Sequence, residues 1–233
     1  MNMTAISFDG DMTLWDFHKV MWHSLKLALE ELRRRVPTQA AMRLTVDRMI
    51  EIRNRVAEEA KGRIWNLEEI RQLAFERTIE AVGCWNRDLA IHLNALYLKH
   101  RFEDIELYED VIPALDILSP HFTVGLLSNG NGYPERCGLQ DRFAFVVLSQ
   151  DAGVEKPDKR IFQVAAEQAG CPLNRLLHVG DSLESDVAGA NAAGATSVWL
   201  NRDARPNQTG IVPDYEVTRL AEVAEIVGVV GVG

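Results

Sequence analysis

The chain has 233 residues, 47% hydrophobic and 25% charged, with a net charge of −9 and a pI near 5.2. That composition fits a globular protein with one large domain, or a core with a smaller module. The acidic balance argues against a nucleic-acid binder, and no apolar stretch approaches the roughly 20 residues of a membrane span.

Ala5-Ile6-Ser7-Phe8 is a short apolar run and reads as a buried strand. It ends in two carboxylates one residue apart, Asp9 and Asp11, with a hydroxyl at Thr13. Carboxylates at the C-terminal end of such a strand lie where open α/β sheets bind ligands. Their like charges are costly to hold together unless a cation or a proton intervenes. The pair therefore suggests a hard metal ion, with one carboxylate available as a nucleophile.

The pattern then turns helical. Val20 to Arg35 places Trp22, Leu25, Leu29 and Leu32 at helical spacing, and Pro37 breaks it. Thr38 to about Ala60 reads as a second helix, closed by Lys61-Gly62. Asn66 followed by Glu69 resembles a capping box, opening a helix that runs towards Gly83. Leu89 to His100 reads as a further helix. No strand is expected in this stretch.

From Glu106 helices and strands alternate. Residues 111–118 read as a helix with Pro113 in its first turn. Strands are expected over 122–127, 145–148, 176–179, 196–200 and 215–217. Helices are expected over 160–169, 185–193 and 220–227, and the Val229–Gly233 tail is expected to be frayed. This rhythm predicts an α/β fold: a Rossmann-like parallel sheet core with helices on both faces, plus a helical-bundle cap domain. Charge marks the same division. Residues 17–101 carry 16 Lys+Arg against 11 Asp+Glu, and the rest of the chain carries 9 against 23. The core domain is expected at 1–16 and 102–233, and the cap at 17–101.

Cys84, Cys137 and Cys171 are far apart, odd in number and without CxxC spacing, so buried or half-buried thiols are expected. The first strand begins so early that a signal peptide is not expected, and a cytoplasmic location follows as the default.

Three later segments also place polar residues at the ends of apolar runs. Ser128 follows Val124-Gly125-Leu126-Leu127, Lys156 lies in Glu155-Lys156-Pro157-Asp158, and Gly180-Asp181 is followed by Asp186. Each alone has a plain structural reading, as turn serine, solvated lysine or helix cap. In this order they match the four motifs of the haloacid dehalogenase (HAD) superfamily: DxDxT at Asp9, Asp11 and Thr13, then Ser128, Lys156, and GDxxxxD at Gly180, Asp181 and Asp186. The chain resembles the phosphatase-type members, with an α-helical cap inserted after motif one.

The resemblance implies roles. Asp9 is the nucleophile that forms an aspartyl-phosphate, and Asp11 the general acid and base. Mg²⁺ is the implied cofactor, held by the side chains of Asp9 and Asp181 and the carbonyl of Asp11. Ser128, Asn129 and Lys156 bind the phosphoryl group, and Asp186 orients the site or pairs with Lys156. Thr13 is expected to fix the turn through its hydroxyl, and His178 to be a packed core histidine. His18 and His23 fall near the cap hinge, where each reads as surface or as substrate contact.

The segment Ala60–Asn66 is similar to the cap of the family's nucleotide and acyl-sugar phosphatases. Arg63 and Trp65 are its candidates for reading the leaving group, the alternative being a surface turn. Arg71, Lys99 and Arg101 are further candidates should a basic cap meet an anionic ester.

The function these features imply is a Mg²⁺-dependent phosphoric monoester hydrolase acting on a small phosphorylated metabolite. No nucleic-acid or membrane partner is expected, and the protein is expected as a monomer or homodimer. A sugar phosphomutase and a non-catalytic phospho-ligand binder remain alternatives. A haloacid dehalogenase is disfavoured because such members lack the second Asp of motif one, here Asp11.

Overall fold

The computed structural model describes residues 2–229, and the tail residues 230–233 expected to fray lie outside them. The elements in chain order are β1 (Ala5–Phe8), α1 (Phe17–Arg35), α2 (Gln39–Arg43), α3 (Val46–Ala60), α4 (Leu67–Ala81), α5 (Arg87–Glu103), α6 (Val111–Leu118), β2 (Thr123–Ser128), β3 (Phe145–Leu148), α7 (Ser149–Ala152), α8 (Lys159–Ala169), β4 (Leu176–Gly180), α9 (Ala188–Ala193), β5 (Thr196–Leu200), β6 (Tyr215–Val217) and α10 (Ala221–Ile226). The chain divides into two compact units, one of residues 1–16 and 106–233, the other of residues 17–105. The expected division at 101/102 falls inside α5, which continues to Glu103, so the helical unit ends a few residues later.

In the first unit the six strands form one parallel sheet in the order β3-β2-β1-β4-β5-β6. The chain winds outward from β1 to β3, then returns to the other side of β1 for β4. The order therefore reverses at β1, and the C-terminal ends of β1 and β4 flank the switch point where such sheets open a ligand crevice. All four β1 side chains are buried although successive ones point to opposite faces, so both faces are covered. Each of Ile6 and Phe8 contributes about 1.5–3 kcal/mol by burial. On one face Ala5, Leu127, Phe145 and Val147 pack with Ile161, Phe162 and Ala165 of α8. Gly125 in β2 leaves the space that the Phe145 ring fills, and a Cβ there would overlap it.

The second unit is all helical, and its apolar faces meet in a cluster that includes Leu25, Leu29, Leu32, Met49, Phe75, Leu93 and Tyr97. The single helix expected over residues 38–60 is two helices. Leu44 and Thr45 adopt extended backbone, and Thr45 Oγ1 accepts the Arg48 N–H at 3.2 Å as a new N-cap. Arg33 of α1 donates to the carbonyls of Ala41 at 3.3 Å and Leu44 at 2.7 Å, satisfying the end of α2. The apolar spacing carries no sign of this break, because a cap and a distant guanidinium set it. Asn66 caps α4 as expected, accepting from Glu68 N–H and Glu69 N–H.

Cys84, Cys137 and Cys171 are free thiols. No helix among the described residues is long and apolar enough to cross a membrane.

Candidate active site

The site is built where β1, β2 and β4 end. Phe8 pairs in register with Leu126 and Val179, so the residues after all three strands emerge at one level. Asp9 follows β1, Ser128 ends β2, and Gly180-Asp181 closes β4.

Lys156 is buried to 3% exposure at the centre of this level. Its Nζ donates to Asp9 Oδ1 at 2.7 Å, Asp186 Oδ1 at 2.6 Å and the Leu127 carbonyl at 2.9 Å. An ammonium has three donors, and these three acceptors use all of them. A phosphoryl oxygen could therefore reach Lys156 only by exchange with one of these acceptors. Burial works against the charged form, but Asp186 and Asp9 outweigh it and raise the Lys156 pKa.

Asn129 fastens the loop that delivers this lysine. Its side-chain amide donates to the Lys156 carbonyl at 2.9 Å, and its Oδ1 accepts the Lys156 N–H at 2.8 Å. The Asn129 side chain thus holds the lysine turn. Ser128 Oγ accepts the Gly130 N–H at 3.1 Å, a bond that does not consume its own hydroxyl proton.

Asp186 is gripped from three directions. Besides Lys156, its Oδ2 accepts the Ser182 N–H at 2.9 Å, and Nε2 of His178 lies 3.1 Å from Oδ1. Burial raises its pKa, but Lys156 and His178 reverse this and hold it well below the usual carboxylate range. Burial also lowers the His178 pKa, which keeps the ring neutral at pH 7. With Asp186 ionised, Nε2 carries the proton, and Nδ1 accepts from the Ser7 hydroxyl at 2.9 Å. Ser7 and His178 are register partners in β1 and β4, which is why they meet. His178 is thus a buried histidine, as expected, but one that orients a carboxylate.

The helix expected to start at Ser185 instead opens with a π-helical turn over Leu183–Val187, and α9 follows from Ala188. Wide turns of this kind often occur at functional sites. Here it returns the Asp186 carboxyl to the strand end, against Gly180, where any Cβ would overlap it.

Carboxylate oxygens of Asp9, Asp181 and Asp186 lie within 4.8 Å of one another. Burial pushes Asp181 up to about 7, helped by the charges of Asp9 and Asp186. Burial likewise raises Asp9, partly offset by Lys156 and reinforced by Asp186 and Asp11. Two carboxyls that resist ionisation side by side make an all-oxygen set that a hard dication would relieve. Asp186 is already committed to Lys156, His178 and Ser182, which leaves Asp9 and Asp181 as the pair that fits Mg²⁺.

Asp11 stands in a tight turn. Thr13 N–H and Leu14 N–H both bond the Gly10 carbonyl, and Met12 has φ +64. A positive φ at a non-glycine residue is uncommon and costs free energy that the surrounding turn must supply. The buried indole of Trp15 donates to Asp11 Oδ1 at 2.7 Å. Thr13 was expected to act through its hydroxyl, and here the structure differs. Its Oγ1 is buried with no hydrogen-bond partner among the described residues. Instead its carbonyl accepts from Arg202 Nη2 at 2.9 Å.

Arg202 belongs to none of the sequence motifs. It also donates to both oxygens of Asp110, at 3.0 and 2.9 Å, and lies 4.1 Å from the Tyr108 ring centroid. Burial alone would raise the Asp110 pKa, but Arg202 and the Leu220 N–H bring it below its ordinary value. The guanidinium ties the turn after Asp11 to the loops before α6 and after β5. Arg202→Ala is expected to cost about 2 kcal/mol of stability, the scale of charged hydrogen bonds lost from a half-buried pair. It should also lower kcat by loosening the Asp11 turn. Denaturant midpoints and steady-state kinetics check this, and a variant with wild-type values in both would remove Arg202 from that role.

Arg63 and Trp65 lie in the α3–α4 connection of the helical unit, both exposed. Arg71 and Arg101 are instead buried within that unit, 5.1 Å from the Tyr97 ring centroid and 4.7 Å from that of Phe17. Lys99 is exposed, with Nζ 3.9 Å from Glu103.

A parallel sheet with acidic residues gathered on a buried lysine at its switch point defines an α/β enzyme core. The chain belongs to the haloacid dehalogenase-like hydrolases, whose family model matches residues 3–194. It is 27% identical over 235 residues to 5-amino-6-(5-phospho-D-ribitylamino)uracil phosphatase YigB of Escherichia coli (strain K12), covering 97% of this chain and 96% of that one. It is 35% identical over 140 residues to pyrimidine 5'-nucleotidase YjjG of the same organism, covering 58% of this chain and 62% of that protein. Among solved structures, a 2-haloacid dehalogenase from Pseudomonas syringae pv. Tomato DC3000 aligns with a TM-score of 0.81 and 29% identity, over 97% of this chain and 98% of that one.

Proposed function

We propose that this hydrolase is a Mg²⁺-dependent phosphatase that cleaves a small phosphorylated metabolite through an aspartyl-phosphate. The observation that carries the reading is Asp9, held by Lys156 at 2.7 Å and set beside Asp181. Two relatives with names as a phosphatase and a nucleotidase support it.

In the first step an Asp9 oxygen attacks phosphorus and the ester P–O bond breaks. The leaving alkoxide takes its proton from the Asp11 carboxyl, which the Trp15 indole steers. In the second step Asp11, now ionised, removes a proton from water as its oxygen attacks phosphorus. The Asp9–phosphorus bond breaks, releasing inorganic phosphate and restoring the Asp9 carboxylate. Lys156 favours the anionic form of Asp9 for the attack and fixes its position, and it stabilises the carboxylate that the second step releases. Ser128 and backbone N–H groups near Gly10, Asp11 and Asn129 receive the phosphoryl oxygens. Asp9, Asp181 and the Asp11 carbonyl would hold Mg²⁺, which would offset repulsion between the carboxylates and the anionic ester. Arg63 and Trp65 are proposed to read the leaving group.

Likeness to a dehalogenase structure favours a second reading, halide displacement by the same Asp9. That reaction needs no proton for the leaving group, so Asp11 argues for the phosphatase. With p-nitrophenyl phosphate, turnover is expected with Mg²⁺ and a loss of roughly 10²-fold or more after chelation, the scale of electrostatic help at such a centre. Chloride release from 2-chloropropionate without turnover of any phosphate ester would reverse the assignment. A sugar monophosphate returned as its isomer would indicate a phosphomutase.

A further inference from the structure

The helical unit carries a second cluster of metal-ligating side chains that the hydrolytic chemistry does not use. His23 lies near the start of α1, and His100 and Asp104 close α5 one helical turn apart. The two helices pack together, bringing the three side chains to one spot. His100 Nδ1 bonds Asp104 Oδ2 at 2.8 Å, and His23 Nε2 lies 3.3 Å from the same oxygen. The three donor atoms are within 4.8 Å of one another. The two rings meet edge to face at 6.2 Å between centroids, so each keeps a nitrogen on the shared carboxylate.

We infer that His23, His100 and Asp104 form a binding site for a divalent transition metal of the zinc class. The donor set decides the class. Two imidazoles and one carboxylate suit zinc and nickel, whereas magnesium takes oxygen ligands. The spacing decides the geometry. Bonds of about 2.0–2.1 Å to a tetrahedral ion put neighbouring donors roughly 3.3 Å apart. The His23–Asp104 distance already has that value, and the His100–Asp104 pair must open by about half an ångström, within the reach of one side-chain adjustment. All three side chains are partly exposed, so the ion has an entry path and a fourth position open to water. Without metal two rings face one carboxylate oxygen. A dication binds all three groups at once and displaces the ring protons that face Asp104. Bound there, it clips the start of α1 to the end of α5, the two places where the chain enters and leaves this unit.

The test uses the full chain, stripped with chelator and dialysed against Zn²⁺ in large excess Mg²⁺, so that Mg²⁺ competes for the all-oxygen cluster around Asp9 and Asp181. Wild type is expected to retain a zinc ion and to melt at a higher temperature with it. His23→Gln and His100→Gln are each expected to lose both effects, while Asp181→Asn keeps them. Should a histidine variant fail to fold, ring NMR signals of the wild type give the same answer: zinc must shift those of His23 and His100. Zinc that is not retained under Mg²⁺, is retained equally by both variants, or leaves both ring signals unmoved overturns the site. None of these readouts depends on turnover.

Discussion

Asp9→Asn is expected to abolish turnover, with kcat on p-nitrophenyl phosphate falling by roughly 10⁴-fold or more, as when a nucleophile that works with its partners as a unit is removed. The amide has nearly the shape of the carboxyl and can still accept the Lys156 hydrogen bond. Lys156 keeps Asp186 and the Leu127 carbonyl, so the ammonium stays paired and the fold should survive. Stability should separate this from general damage. The Asp9 carboxyl is raised by burial and by its acidic neighbours, so its ionised form opposes folding when no metal is present. A carboxyl with a raised folded pKa binds its proton more tightly in the native state than in the unfolded one. Its stabilising effect is therefore full at low pH and lost as pH rises. Asp181, moved from 3.8 to about 7, sets the window: metal-free wild type should lose stability between about pH 4 and 7. Asp9→Asn should flatten part of that fall and weaken the thermal stabilisation by Mg²⁺. Melting curves across pH, with and without Mg²⁺, check both. Substantial residual turnover in a folded variant would mean that another group attacks the substrate.

The acidic residues at the strand ends were legible in the sequence because their signals are local. An apolar run that stops at a carboxylate predicts both a strand and the side of the sheet on which the carboxylate emerges. Asp9 and Asp181 follow that rule, and the parallel register aligns them with Ser128 at the end of β2. What fixes their geometry was not legible, because its partners are distant in sequence. Arg202 bonds the carbonyl of Thr13 across 189 positions. Ser7 and His178 meet only because β1 and β4 are neighbours in a given register. The contact of the Trp15 indole with Asp11 exists only once the turn has folded. The break at Leu44–Thr45 escaped for a similar reason. Helical spacing continues across it, while the decisive contacts are a threonine cap and the side chain of Arg33. The π-helical turn at Leu183–Val187 shares the periodicity of an ordinary first turn, and what distinguishes it is the return of Asp186 to the backbone of Ser182. Thr13 carried a plausible hydroxyl, but the chain used its carbonyl, and nothing in a sequence distinguishes the two.

Lys156→Met should strongly destabilise the core unit. The substitution keeps an unbranched chain of similar length and removes the charge that holds two buried carboxylates. Breaking a buried pair by removing one partner costs about 3–5 kcal/mol, because the other charge stays buried and uncompensated. For a chain of this size that corresponds to a fall in Tm of roughly 10 °C or more. The loss should depend on pH in a defined direction. In the wild type Asp186 is held below its ordinary value, so its contribution is present above the unfolded carboxylate range and lost as the solution is acidified. Without the ammonium, Asp9 and Asp186 both move up, and the variant is relieved when they take protons. The gap between wild type and variant should therefore be widest at neutral pH and narrow as pH falls towards 4, near the ordinary carboxyl value. Adding Asp186→Asn to Lys156→Met removes the second stranded charge and should recover part of the lost stability, a coupling that a double-mutant cycle isolates. Activity responds differently. The double variant still lacks the group that keeps Asp9 ionised, so it should regain stability without regaining kcat. A gap constant with pH, or a double variant no more stable than the single one, would show that Lys156 acts through packing and not through the two carboxylates it joins.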